Sequence, residues 1–351
     1  MPVITRSDLA FDRPPALQAT APPEARGLAR DEVRLLVSQP TGDGVRHIHT
    51  RFFCLAEFLQ PGDLLVINQS ATLPASLAAT GAIGAFLVNL STHYGDGVWL
   101  AEPRWSTGEP GPLPLEPGET IGIGAVSARL IGPHPGLPRL WFLRACGDLR
   151  VEMARRGRPI RYGYVTGHLP LDAYQTIFAH EPGSAEMPSA ARPFTTRVME
   201  ALAQRGVEVA GLTLHTGVSS LEVETDTVEE QPLYAEPFRV PASCAAAVNQ
   251  ARCEGRRVIA VGTTVARALE SAWDGAQVRP ARGFTRCYIH PRRGVHTVDG
   301  LLSGFHDPYA SHLAMLYAIG GKALVQDAYA EAVEQGYLWH EFGDSHLILT
   351  R

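Results

Sequence analysis

The sequence predicts an α/β protein: a three-layer α/β domain with a mostly parallel sheet, plus an inserted small β-barrel-like domain. Three observations lead there. The second half of the chain alternates strand-like and helix-like segments, the pattern of a largely parallel sheet covered by helices. Between about Leu77 and Arg150 the composition shifts to short apolar runs broken by Gly and Pro, the pattern of a small all-β unit. The 351 residues, 45% hydrophobic and 19% charged, supply a core for one large or two medium domains and exclude disorder throughout. The expected boundaries are 1–76 for the first part of the α/β domain, 77–150 for the barrel-like insert and 151–351 for the remainder.

In chain order, residues 1–30 are rich in Pro and Ala, with Pro14-Pro15 and Pro22-Pro23, and read as an extended arm. Leu64-Leu-Val-Ile67 follows the turn Pro61-Gly-Asp63 and reads as a strand buried on both faces. In the insert, the runs Ala85–Leu90, Val98–Ala101, Thr120–Ile123 and Leu140–Leu143 read as short strands. Val198, Met199 and Leu202 form a helical stripe that stops at Gly206. A strand with Val207, Val209, Leu212 and Leu214 follows. Val258-Ile-Ala-Val261 ends at Gly262, the mark of a central parallel strand, and Thr263–Ser271 reads as a helix. Leu324, Val325, Ala328, Ala332 and Val333 mark another helix.

The net charge of −5 excludes nucleic-acid binding driven by overall charge and leaves room only for a local patch. Two Arg clusters stand out: Arg155, Arg156, Arg158 and Arg161, then Arg279, Arg282, Arg286, Arg292 and Arg293. Each reads either as a phosphate contact or as a solvated face. No apolar run approaches the ~18 residues of a membrane span, and the first residues lack the pattern of a signal peptide; the cytosol is the expected location. The five cysteines (54, 146, 244, 253 and 287) show no paired spacing and read as buried free thiols. No histidine spacing argues for a metal. Gly-x-Ser-x-Gly, the P-loop and the dinucleotide fingerprint are absent.

Four constellations remain. Gly262-Thr263-Thr264 carries a strand into a helix start, where unpaired N–H groups attract anions and where Arg267 stands one turn on; an ordinary N-cap is the alternative. Thr213-Leu-His215 ends a strand, the place where open α/β sheets bind ligands; a structural His is the alternative. In Phe305-His306-Asp307-Pro308 the His is either a tuned base or part of a turn. Phe342-Gly-Asp344 is either a site carboxylate or turn chemistry. The loop Gly183–Pro188 carries one carboxylate and reads as surface.

In their order, these segments resemble the S-adenosylmethionine:tRNA ribosyltransferase-isomerase family of queuosine biosynthesis. The resemblance runs from Pro61–Asn68 and Leu73-Pro-Ala75, through Tyr174-Gln-Thr176, Gly183-Ser184 and Phe194-Thr195, to Thr213-Leu-His215, Gly217 and Glu236. Its densest stretch is Val258–Thr264 with Arg267 and Leu269-Glu-Ser271, followed by Asp299, Phe305-His306, Pro308, Gly343-Asp344 and Leu347-Ile348. It implies the same two-part fold. It also implies an activity: moving the ribosyl part of S-adenosylmethionine, a co-substrate, onto 7-aminomethyl-7-deazaguanine in tRNA, with rearrangement and loss of adenine and methionine. The implied partners are S-adenosylmethionine and tRNA, with no metal and no membrane. The sulfonium acidifies the neighbouring C5′–H, so a positioned base suffices. The candidate catalytic groups are His215, Glu236, Asp344 and His306. The candidate co-substrate contacts are Gly262, Thr263, Thr264, Arg267, Asp299 and Phe305.

The sequence also departs from the family pattern. Gln69-Ser70-Ala71 replaces Asp-Thr-Arg, and Ser76 replaces a later Arg. Ile160–Tyr164 replaces a Pro-rich stretch, and Pro193 a His. Val218-Ser-Ser220 replaces Gly-Thr-Phe, and Gln231–Tyr234 lacks a paired-His motif. Ser303–Tyr309 replaces Thr-Asn-Phe-His-Leu-Pro-Lys. Such changes leave two alternatives open: a paralogue using S-adenosylmethionine on a small-molecule acceptor, or a non-catalytic S-adenosylmethionine- or nucleoside-binding protein.

Overall fold

The structure, a computed structural model, describes residues 3–42, 44–107, 109, 111–218 and 222–351. The substituted Ser219 and Ser220 lie outside them.

The N-terminal third holds β1 (Arg34–Thr41), β2 (Gly44–Arg51), β3 (Leu64–Asn68) and β4 (Ser70–Thr72). Then come β5 (Ser76–Gly81), β6 (Gly84–Gly95), β7 (Val98–Trp105), β8 (Thr120–Ile123), β9 (Val126–His134) and β10 (Leu137–Ala145). Helix α1 (Leu149–Arg156) leads to β11 (Glu181–Ser184), α2 (Thr196–Arg205), β12 (Glu208–Leu214) and β13 (Glu236–Val240). The rest is α3 (Ala242–Cys253), β14 (Val258–Val261), α4 (Thr263–Ser271), β15 (Ala281–Thr285), β16 (Gly300–Gly304), α5 (Ser311–Gly320), α6 (Lys322–Glu334) and β17 (Ser345–Leu349).

Nine strands form one sheet in the order β15-β13-β12-β3-β14-β16-β17-β1-β2. Its centre, β12-β3-β14-β16, is parallel, as is β1 on β17. The other four pairings are antiparallel, so the expected parallel sheet is its centre, with antiparallel strands added on both flanks. The continuous apolar runs follow from a sheet covered on both faces, where alternate side chains enter different cores. Leu64 and Val66 of β3, with Val258 and Ala260 of β14, join the core under α3, α4, α5 and α6. Their neighbours Leu65, Ile67, Ile259 and Val261 join a second core with Val198 and Leu202 of α2 and with Phe52 and Leu55. This is the expected three-layer arrangement. Helix α2 stops where Gly206 takes φ 78°, an αL cap open to Gly at little cost.

Strands β5 to β10 close a six-stranded barrel, β10-β7-β6-β5-β8-β9. Alternation fills it: Phe86, Val88 and Leu90, Ile121 and Ile123, Trp141 and Leu143 all point into one core. Residues 3–30 correct the expectation of an extended arm. They form short 3-10 turns at Arg6–Leu9, Pro15–Leu17 and Pro23–Arg26, and Ile4, Leu9 and Ala19 are buried. Proline at the first turn position fixes φ for such turns. The cysteine expectation also needs correcting: all five thiols are free, but only Cys244 is buried, while Cys146 and Cys253 are exposed. Among the described residues, no helix is long and apolar enough to cross a membrane.

Candidate active site

A pocket with a cavity of about 160 Å³ opens at the carboxyl ends of β14 and β16, the end of an open α/β sheet that holds ligands. Gly262 forms its floor. At φ 96° and ψ 152° the backbone conformation suits glycine alone. No side chain caps α4, so its first N–H groups, at Thr263 and Thr264 on the pocket lining, remain for a ligand. On the far side, the parallel pair β4–β11 launches the loop that brings in Glu186. Strand β16 delivers Phe305, His306 and Asp307, helix α5 delivers His312, and the turn before β17 delivers His340 and Glu341.

Electrostatics distinguish this pocket. Its lining includes Glu186, Glu222, Asp307 and Glu341 and, among the described residues, neither Lys nor Arg. Glu186 accepts a hydrogen bond from the Tyr162 hydroxyl at 2.8 Å. Asp307 is bonded to His340 at 2.7 Å and paired with Arg13 at 2.9 Å; despite burial, these partners hold it below its ordinary range. Glu341 differs: its Oε1 is buried with no hydrogen-bond partner among the described residues. Burial, with the nearby charge of Glu186, pushes its carboxyl up to about 8, so it carries its proton at neutral pH. His306 stacks on His312 with ring centroids 4.5 Å apart, and its Nε2 bonds with Ser303 Oγ at 2.8 Å. Burial and the surrounding histidines hold His306 well below the usual imidazole range, so it is neutral. Burial drives His312 down to about 4.

An aromatic wall completes the site. Tyr162 and Tyr164 stack at 5.4 Å, and Tyr164 lies 4.8 Å from the His340 ring. His340 takes φ 76°, a conformation costing a non-glycine residue about 1–3 kcal/mol. Its bond to Asp307 and its aromatic contacts hold it there.

The sequence candidates divide. Gly262, Thr263, Thr264, Phe305 and His306 line the pocket. His215 does not: its Nδ1 bonds Ser70 Oγ at 2.7 Å, and its ring lies so close to Gly183 that a Cβ there would sit 2.5 Å away. It ties β12 to the β4–β11 pair, and its neighbour Thr216 reaches the lining. Glu236 accepts from the Gly217 N–H at 2.8 Å and pairs with Arg267. Both line an adjoining pocket of about 40 Å³ that shares His312. Asp344 accepts from the backbone N–H groups of Arg34 and Leu338, each at 2.7 Å, and clasps β1 to the turn before β17. Asp299 lies at the opposite end of the sheet, accepting from Val258 N at 3.0 Å and from Arg351. Sequence reading passed over Glu341 and treated Glu186 as part of a surface loop. Only the adjacency of Glu341 to the Phe342-Gly-Asp344 turn hinted at it. Four of the departures from the family pattern, at Tyr162, Ser303, Gly304 and Asp307, line the pocket.

Fold and pocket together define an α/β protein with an attached barrel and a pocket at the carboxyl ends of its central strands. A family model described as "Queuosine biosynthesis protein" matches residues 6–348. The chain is 37% identical to the S-adenosylmethionine:tRNA ribosyltransferase-isomerase of Thermus thermophilus, over 91% of this chain and 93% of that one. It is 35% identical to the protein of the same name from Moorella thermoacetica, over 97% and 98%. The crystal structure of S-adenosylmethionine tRNA ribosyltransferase from Thermotoga maritima matches with a TM-score of 0.54 at 27% identity, covering 97% of this chain and 100% of that one. The chain belongs to the queuosine biosynthesis family.

Proposed function

We propose that this protein is an S-adenosylmethionine-dependent tRNA ribosyltransferase-isomerase, which transfers and rearranges the ribosyl moiety onto an aminomethyl-deazaguanine with release of adenine and methionine. One observation carries the reading: the pocket sets an acidic wall against an uncapped helix start. S-adenosylmethionine has the matching polarity, with a sulfonium, an ammonium and a carboxylate. Glu186 and Glu222 face the cations, while the N–H groups of Thr263 and Thr264 receive the carboxylate. Arg267, one turn further along α4, is paired with Glu236 in the adjoining pocket and leaves the carboxylate to these N–H groups.

Two groups with opposed protonation divide the proton transfers, as in other acid–base sites. Neutral His306 accepts the proton from C5′, which the sulfonium acidifies. Protonated Glu341 donates to the departing adenine, which the Tyr162–Tyr164 wall stacks.

The test is chromatography of adenine released from S-adenosylmethionine, with and without tRNA carrying the aminomethyl-deazaguanine. Release that requires this tRNA is the expected result. Binding of S-adenosylmethionine without adenine release in its presence overturns the reading.

A further inference from the structure

We infer that the cleft between the barrel and the segment Arg156–Pro170 is a docking groove for the sugar–phosphate backbone of an RNA. This inference rests on the reading above for the identity of the RNA as tRNA. The cleft has a volume of about 910 Å³. Its walls are strands β5, β6 and β7 on one side and the segment after α1 on the other. Arg104, Arg156, Arg158, Arg161 and His168 line it, with no Asp or Glu among the described lining residues. In a chain of net charge −5, this is a local reversal of sign.

The arginines also keep their charge. Arg158 makes no ion pair among the described residues. Arg161 donates to a carbonyl, Gly167 O at 2.7 Å, which satisfies geometry without neutralising it. Arg156, itself exposed, pairs among the described residues with the buried Glu152 at 3.6 Å, beyond hydrogen-bond distance. The buried carboxylate of Glu102 is shared between Arg104 and Arg139.

Position links the groove to the site. Arg161 lines the groove while its neighbour Tyr162 lines the acidic pocket. Tyr174 closes the groove and packs on Phe342, ring centroids 5.4 Å apart, beside Glu341. A strand seated on the arginines therefore passes the mouth of the pocket, and a base turned out of it enters. The division is physical. The pocket repels phosphate and takes cations, whereas the groove holds phosphate, and contacts of that kind position a nucleic acid without reading its sequence.

The experiment is tRNA binding by fluorescence anisotropy across a series of salt concentrations, with Arg158→Glu/Arg161→Glu, Arg158→Gln/Arg161→Gln and, as a control from the other Arg cluster, Arg282→Glu. The glutamate pair is expected to bind at least about tenfold more weakly and to lower the salt slope by roughly 1.4–1.8, the value for two lost phosphate contacts. The glutamine pair falls between, Arg282→Glu stays within about twofold, and S-adenosylmethionine affinity and melting temperature hold in all three. Unchanged affinity and slope in both pairs overturns the groove, as does an equal loss in Arg282→Glu. The two readings fail separately. Groove-dependent tRNA binding with no adenine release defeats ribosyl transfer alone. Full adenine release with wild-type tRNA affinity in the glutamate pair defeats the groove alone.

Discussion

The two ends of the central parallel strands use the same kinds of side chain to opposite purposes. At the amino end, buried charge is answered. The Arg257 guanidinium donates to Asp63 Oδ1 at 3.0 Å and pairs with Oδ2, both residues being buried. Asp299 is held by Val258 N and Arg351. At the carboxyl end, polar capacity is left over: an uncapped helix start, a protonated Glu341 with a bare oxygen, and two stacked neutral histidines. A buried polar group satisfied by protein fixes the fold. One held in place yet unsatisfied is available to a ligand.

Breaking the amino end should cost the most stability. Arg257→Ala leaves Asp63 buried and unpaired, a loss of about 3–5 kcal/mol in denaturant unfolding, while the folded fraction still binds S-adenosylmethionine. Breaking the carboxyl end should cost chemistry instead. His306→Ala is expected to lower the adenine-release rate about 10²–10⁴-fold with a smaller change in unfolding. A large stability loss together with unchanged turnover per folded molecule would reverse the comparison.

Glu341→Gln sharpens it through pH. The wild-type kcat/KM should fall as pH rises through about 8, where Glu341 loses the proton it donates; the Gln variant should be slower and lack that limb. Stability carries the same sign. The folded-state carboxyl titrates above its unfolded value, so the folded state holds the extra proton. Wild type therefore loses stability as pH rises from the ordinary carboxyl range through about 8. The Gln variant should lack that slope in thermal melts recorded across the range. The smallest effect is expected from Asp299→Asn, about 1–2 kcal/mol of stability from weakened charged hydrogen bonds, with S-adenosylmethionine affinity unchanged by calorimetry.

The elements were legible where one local pattern dominated. Val258–Ser271 announced both β14 and α4, because a strand buried on two faces is uniformly apolar and a glycine must turn it. The short runs between 77 and 150 announced the barrel. The pairing of β17 with β1 was not legible, since it spans some 300 residues and nothing local records the partner. The site was half legible. Gly262, Thr263, Thr264, Phe305 and His306 were named in advance and line the pocket, whereas Asp299 matched a family segment and sits at the other end of the sheet.

By itself, the sequence determined the layer architecture, the helix start at Thr263 and membership in the family, because periodicity, turn chemistry and motif order are local properties of a chain. Tertiary structure alone decided which carboxylates face the pocket. Glu186 and Glu341 look like any solvated glutamate until the fold brings residues 155 positions apart into one water-poor wall. It alone also decided that the arginines of segment 156–161 face a cleft, because a cationic surface needs the barrel as its second side.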